Sequence, residues 1–267
     1  MHQEHHAQID STNEKAVRVW RQHCEQFPNH QAQPLLISAD IQTAGRGRQG
    51  RVWRSPMGGL WMSLAWPAPG DADRYRVLPL VAGLAVAEAV SDVTELEPQI
   101  KWPNDLLLDG MKTAGILCEY QPLRQPVVII GIGVNANLNA GKLGRGLRHP
   151  ATTLQEQLGR PISIKDLRDA VARRLLSRLR IFEREGIALL LPSIRKRLAW
   201  QDEPIICELP GGQKREGTLG GIDEQGRLLL NDPTDGTVPL DVGEIVHLSP
   251  AQITPAPQGD PMELLNQ

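Results

Sequence analysis

Cysteine is scarce in this sequence: Cys24, Cys118 and Cys207 are the three in 267 residues, and they stand far apart. No CxxC pair or metal-ligand spacing joins them, which excludes a disulfide framework and a cysteine-built zinc site and suits a reducing compartment. No apolar run approaches the roughly 18 residues that a bilayer span needs. The N-terminus, with Glu4 and Asp10 and no apolar core behind its first charges, lacks the make-up of a secretory signal. The expectation is a cytoplasmic protein with no membrane partner. A charge excess is missing too: 29 Lys and Arg face 31 Asp and Glu, and a formal net charge of -2 argues against a chain that coats nucleic acid. There is no internal repeat.

What is present is ordinary globular material, 40% hydrophobic and 22% charged, enough for one full-sized core and a small appendage. His2, His5 and His6 have no carboxylate or cysteine at a convincing ligand spacing, so the first residues read as a frayed polar terminus. Asp10 and Ser11 offer N-cap oxygens ahead of Ala16, Val17, Trp20, Cys24 and Phe27, whose spacing predicts an amphipathic helix ending before Pro28. Strands are expected at Leu35 to Ile41, at Leu60 to Trp66, into Lys101, at Leu106 to Leu108 and through Gly115 to Tyr120, with an Asp109-Gly110 hairpin turn. The continuous apolar run Val127 to Val134 reads as a central strand.

Leu78 to Val93 reads as a buried helix, and Leu167, Val171, Leu175, Leu179 and Phe182 define another. A further helix is expected from Ile187 towards Trp200. After Trp200 short strands follow at turn-punctuated intervals (Ile205 to Leu209, Gly217 to Ile222, Gly226 to Leu230, Glu244 to Leu248), which suits a small β-barrel or sandwich. The division expected is 1–200, 201–249 and a poorly ordered, proline-bearing tail over 250–267.

Residues 42 to 59 have no apolar period and form a long loop. Its stretch Gln42-Thr43-Ala44-Gly45-Arg46-Gly47-Arg48-Gln49-Gly50-Arg51-Val52-Trp53 combines glycines that admit a ligand close to the backbone with arginines carrying fixed charge. Such a loop can surround a phosphate, yet it has neither the GKS/GKT of a Walker loop nor the dinucleotide fingerprint. Taken alone it fits an RNA-contacting or merely flexible segment as well. Downstream stand Lys101-Trp102-Pro103-Asn104-Asp105, Lys112-Thr113-Ala114-Gly115-Ile116-Leu117 and Gly131-Ile132-Gly133-Val134-Asn135, each following or ending an expected strand, where one sheet could converge them on a single pocket.

With GRGRxGRxW, KWPND, KxAGI and GxGxN in this order, residues 9 to 248 resemble the biotin protein ligase family. The related lipoate ligases and octanoyltransferases have an RRxSGGGxV-type segment that is absent here. The resemblance implies an α+β fold, a class II synthetase-like, lipoate-ligase-like mixed sheet with helices plus a small SH3-like β-barrel. It also implies ATP, biotin and Mg2+ as ligands, and the biotin carboxyl carrier domain of acetyl-CoA carboxylase or a related carboxylase as partner, for a monomer or homodimer.

By the same resemblance Ser11, Thr12, Gln42, Gly45, Arg46, Lys112 and Gly115 would bind biotin. Arg48, Arg51, Trp53, Lys101, Asn104, Asp105 and Asn135 would bind ATP, with Asp105 the candidate Mg2+ ligand and Lys112, Arg48 and Arg46 the catalytic charges. Two departures stand out. Ala151 precedes Thr152-Thr153-Leu154-Gln155-Glu156 where some relatives have an adenine-stacking Trp, and no arginine follows Glu244 where relatives have one. Bifunctional members carry an additional N-terminal helix-turn-helix domain. Ten residues precede Ser11, so a monofunctional type without DNA binding is expected.

Overall fold

The computed structural model describes residues 1–142, 150–242 and 244–251. Apolar stretches of strand length build a seven-stranded mixed sheet from β1 (His2–Ile9), β2 (Leu35–Gln42), β3 (Leu60–Pro67), β4 (Gln99–Lys101), β5 (Asp105–Leu108), β6 (Met111–Gln121) and β7 (Val127–Val134). The spatial order is β1-β2-β3-β7-β6-β5-β4; β1 and β2 run parallel and the other neighbours antiparallel. Asp109 and Gly110 both take positive φ, 49° and 71°, as a tight β5–β6 turn of matching twist requires.

The helices are α1 (Thr12–Gln26), α2 (Leu78–Thr94), α3 (Leu154–Leu158), α4 (Ile164–Glu185) and α5 (Leu191–Lys196). A second, five-stranded antiparallel sheet comprises β8 (Pro204–Glu208), β9 (Lys214–Ile222), β10 (Leu228–Asp232), β11 (Gly236–Leu240) and β12 (His247–Pro250), in the order β11-β10-β9-β8-β12. The α+β class expected from the sequence is the one observed.

The alternation of β7 positions the cavity. Val128, Ile130, Ile132 and Val134 enter the large core with α2 and α4, whereas Val127 and Ile129 pack under Ala16, Trp20 and Cys24 of α1. Continuing along the α1 face, the next two positions are Gly131 and Gly133. The register extends these into rows across three strands: Ala65-Ile129-Glu119 beneath the helix, then Ser63-Gly131-Leu117 and Trp61-Gly133-Gly115. Where the glycine rows begin the sheet has no side chains to fill the space, and a hollow opens beside the first turn of α1.

Several expectations are corrected. The N-terminus is an ordered edge strand, held by pairing with β2 from His2↔Leu35 to Ile9↔Gln42 and by a 3.0 Å contact of His5 Nδ1 with Ser38 Oγ. Among the described residues no group of three His, Cys, Asp or Glu side chains is arranged to hold a metal. The helix expected from Ile187 to Trp200 is the short α5, with Pro192 in its first turn. β11 is a strand absent from those expected after Trp200.

The stretch Ala72–Thr94, which contains an 18-residue window of mean hydropathy 1.6, does have the length and composition of a membrane span, against the expectation of no such run. That window is 72% buried, which suits a core helix packed between sheet and α4. The expected tail over 250–267 lies, from residue 252 on, outside the described residues. The three cysteines are free, and burial pushes each thiol up, so none is poised as a thiolate nucleophile.

Candidate active site

A cavity of about 430 Å³ sits over the glycine rows. Its walls come from the start of α1, the Gly/Arg loop, the β4–β5 connection, β6, β7, Ala151, and residues Ile245 to Leu248 of the second sheet. One end is polar and uncharged, and the other holds a cluster of cations around one carboxylate.

At the polar end Ser11 precedes α1, but its side chain makes no cap hydrogen bond. The cap bond that the sequence offered to Ser11 is therefore not formed by its hydroxyl, and Ser11 lines the cavity together with Thr12, Asn13 and Gln42. Gln42 Oε1 accepts the Thr12 backbone N–H at 2.8 Å while its Nε2 donates to Ser55 Oγ at 2.7 Å, which fixes the amide orientation. Asn13 Nδ2 donates to Glu119 Oε2 at 2.7 Å, and a Cβ on Gly131 would overlap the Asn13 amide. Asn13, Ser63 and Glu119 are site residues that the sequence reading missed.

The Gly/Arg loop doubles back on itself through Gln42 N–H to Ser55 O, Trp53 N–H to Gly45 O and Gly47 N–H to Arg51 O, at 3.0, 2.9 and 2.8 Å. Its tip turns at Gln49 and Gly50, both with positive φ. Gly45 does not line the cavity. It sits where a Cβ would run into Ser55 Oγ, 2.7 Å away, so its role is to let the two arms of the loop close. Arg46 reaches the cavity wall but is claimed by two carboxylates, Glu14 at 2.8 Å and Glu119 at 3.0 Å, a latch rather than a free charge. Arg51 turns to Gln49, 2.6 Å away. Val52 is 81% exposed, and the apolar anchor of the loop is Trp53.

Trp53 lies on the glycine rows. A Cβ on Gly133 would come within 2.5 Å of its Nε1 and one on Gly115 within 3.0 Å of its Cζ3, so both glycines are needed for the indole to reach the sheet. Trp61 meets it edge-on with centroids 6.5 Å apart, and Lys112 Nζ stands 5.2 Å above its ring.

At the charged end Lys112 Nζ pairs with Asp105 Oδ1 at 2.5 Å. Arg48 Nη1 donates to Asn104 Oδ1 at 3.0 Å, while Asn104 is itself held by Ile116 O. Burial lowers the Arg48 pKa and Asp105 pulls it back up. Lys101, 5% exposed, stands 5.4 Å over Trp200; burial holds its pKa at about 8, opposed by Asp105 and reinforced by Lys112. Removing an ammonium from water disfavours its charge, and an anion arriving here would restore it.

Asp105 was the candidate metal ligand. Asp105 has Lys112 against it and Lys101 and Arg48 acting on it, and among the described residues no group of three His, Cys, Asp or Glu side chains is arranged to hold a resident divalent ion.

Asn135 is buried, with Nδ2 3.3 Å from Thr152 O, next to Ala151, which pairs with Lys112 along the cavity wall. Glu244 stands elsewhere: it accepts the Asp241 N–H and closes a turn of the small sheet, while its neighbours Ile245 to Leu248 line the cavity. Trp102 ties the second sheet to this site by donating to Gly226 O at 2.9 Å.

A mixed sheet carrying this polar-to-cationic cavity defines the class: residues 7–137 match the Biotin/lipoate A/B protein ligase family, and residues 202–248 match the Biotin protein ligase C terminal domain. The bifunctional ligase/repressor BirA of Bacillus subtilis is 34% identical over 213 residues, 76% of this chain and 63% of that protein, so the chain spans less than two thirds of that relative. The biotin--[acetyl-CoA-carboxylase] ligase of Mycobacterium tuberculosis is 35% identical over 222 residues, 80% of this chain and 79% of that one. Among solved structures, the biotin protein ligase from Aquifex aeolicus in complex with biotin and ATP superposes with a TM-score of 0.77 at 29% identity, over 94% of this chain and 99% of that one. The chain belongs to the biotin protein ligase family.

Proposed function

We propose that the protein joins biotin to ATP as biotinyl-5'-AMP and passes the biotinyl group to one lysine of a biotin carboxyl carrier domain. The observation that carries this reading is the convergence of four separated motifs on one cavity whose two ends differ in kind. The uncharged end, Ser11, Thr12 and Gln42, suits a neutral cyclic urea. The far end, with Lys112, Lys101 and Arg48, suits the meeting of a carboxylate with a polyphosphate.

In the first step the biotin carboxylate oxygen attacks the α-phosphorus and pyrophosphate leaves. Two anions must approach, so neutralising charge held in place is the main requirement. Lys112, oriented by Asp105, lies over Trp53, and Arg48 is fixed by Asn104 at the same end. Mg2+ arrives as part of the ATP substrate. In the second step a neutral lysine amine attacks the carbonyl of the mixed anhydride, AMP leaves, and the amine's proton passes to solvent. The reading includes cytoplasmic ATP as substrate, a catalytic unit over 1–200 and a small unit over 201–249, and neither DNA nor a membrane as partner.

The decisive experiment is intact-mass spectrometry of a carrier domain incubated with the protein, ATP, Mg2+ and biotin. One biotinyl adduct on one lysine is expected. Pyrophosphate release stimulated by lipoate and not by biotin would instead assign the chain to the lipoyl branch.

Lys101 gives the reading a pH signature. Its charge is present below about pH 8 and lost as pH rises through that value, so the ATP affinity of the free protein should fall from there on. The expected result is a downward step in kcat/KM for ATP centred near pH 8, absent in Lys101→Arg, which stays charged. An unchanged step in that variant would free Lys101 of the role.

A further inference from the structure

We propose that Glu119 determines ligand specificity without touching the ligand, by fixing the direction of a hydrogen-bond chain so that Thr12 meets the ligand as an acceptor. The inference rests on the cyclic-urea reading given above. Glu119 is a carboxylate that faces the Arg46 guanidinium with Oε1, at 3.0 Å, and it can only accept. Asn13 must therefore turn its NH2 to Glu119 Oε2, and the distance is 2.7 Å.

That leaves Asn13 Oδ1 facing Ser63 Oγ at 2.6 Å. A contact this short between two oxygens carries a proton, and Ser63 is the one that has it. Ser63 Oγ can then only accept at its 2.7 Å contact with Thr12 Oγ1. The single proton of Thr12 is drawn inward, towards Ser63, with Gln42 Oε1 at 3.0 Å as a second inward acceptor whose orientation is fixed by the Thr12 N–H.

What Thr12 shows to the cavity is a lone pair. A ligand N–H is received there, and a ligand oxygen at the same place meets lone pair with lone pair in a buried site. Each link is a consequence of donor and acceptor count, beginning at the one group in the chain that is anionic. The same carboxylate holds Arg46, so the recognition end of the cavity and the latch of the Gly/Arg loop share one anchor.

Glu119→Gln keeps the shape and removes the charge. A glutamine that offers its oxygen to Arg46 presents NH2 to Asn13, which must turn over and donate to Ser63. Ser63 is then free to donate to Thr12, whose only remaining inward acceptor is Gln42 Oε1 at the longer distance of 3.0 Å, an oxygen that already accepts the Thr12 N–H, so Thr12 can direct its own proton at the ligand. Ser63→Ala breaks the chain one link later while leaving Glu119, Asn13 and Arg46 in contact.

The test is calorimetric binding, without ATP, of biotin and of the two cyclic carbamates in which one or the other ring N–H is replaced by oxygen. The wild-type protein should bind one carbamate about a hundredfold more weakly than biotin. In both variants that ratio should fall to about tenfold or less, whereas general loosening of the site would weaken all three ligands together and leave the ratio as it was. A folded Glu119→Gln or Ser63→Ala protein with the wild-type ratio overturns the proposal, as does a wild-type protein that does not discriminate; if one variant fails to fold, the other decides. A wild-type protein that binds no biotin overturns the ligand reading itself.

Discussion

Lys112→Ala should fold, keep most of its affinity for biotin, and lose about a hundredfold in biotin-dependent pyrophosphate release. The magnitude is that of one preorganised donor withdrawn from developing charge, roughly 3 kcal/mol. The geometry explains why the loss falls on the reaction more than on the fold. Lys112 is the second residue of β6, just after the Asp109-Gly110 turn, its backbone is held by Pro150 O and the Thr152 N–H, and these bonds survive truncation of the side chain.

Asp105 loses its partner but still has Lys101 and Arg48 acting on it, so the stranded carboxylate keeps two compensating charges. Isotope-exchange or pyrophosphate assays beside a thermal melt would read both effects. A folded variant adenylating biotin at near the wild-type rate would return Lys112 to the status of a structural ion pair with Asp105.

Much of the fold could be read because its signals are local. The helix α4 follows from Leu167, Val171, Leu175 and Leu179 at four-residue spacing, all buried as that pattern demands, and β7 from an unbroken apolar run of strand length. The strand β1 could not be read this way. His2–Ile9 is mostly polar, and it becomes a strand only because β2, some 33 positions later, offers an edge to pair with. α5 is shorter than expected because Pro192 and the chain's return to β4, where Ile100 N–H bonds Arg197 O, limit it.

The site divides along the same line. Ser11, Thr12, Gln42, Lys101, Asn104, Asp105, Lys112, Gly115 and Asn135 stand in motifs and all line the cavity. Motif membership does not say which way a side chain faces, and Arg46 and Gly45 show it: one serves as a latch, the other as a packing position. Asn13, Ser63 and Glu119 were illegible for a different reason. Each is commonplace in its own segment, and the Asn13–Glu119 bond joins residues 106 positions apart. Only the strand register, which puts Ser63 beside Gly131 and Glu119 beside Ile129, brings them under the start of α1.

That register also leaves Gly133 without room for a side chain. Its strand lies in the middle of the sheet, bonded to β3 on one side and β6 on the other, so the backbone has nowhere to go. A Cβ there would meet the body of the Trp53 indole, 2.5 Å from Nε1, 2.7 Å from Cε2 and 3.0 Å from Cζ2, with no flexible chain end to yield. The indole must lift, and with it goes the ring beneath Lys112 Nζ. At Gly115 the overlap is milder, 3.0 Å from Cζ3 and 3.2 Å from Cη2, at the far edge of the same ring.

Gly133→Ala should therefore cost on the order of a hundredfold in adenylation and Gly115→Ala about tenfold, in keeping with about 1–3 kcal/mol for overpacking, while melting temperatures stay close to the wild type because the displaced ring is only half-buried. Removing the obstacle offers the control. Trp53→Ala should be impaired on its own, and adding Gly133→Ala to it should cost little more, since the two changes act through the same ring. Independent, additive losses in the double variant, or a Gly133→Ala protein that adenylates better than Gly115→Ala, would show that the glycine row serves the ligand directly and not the seating of Trp53.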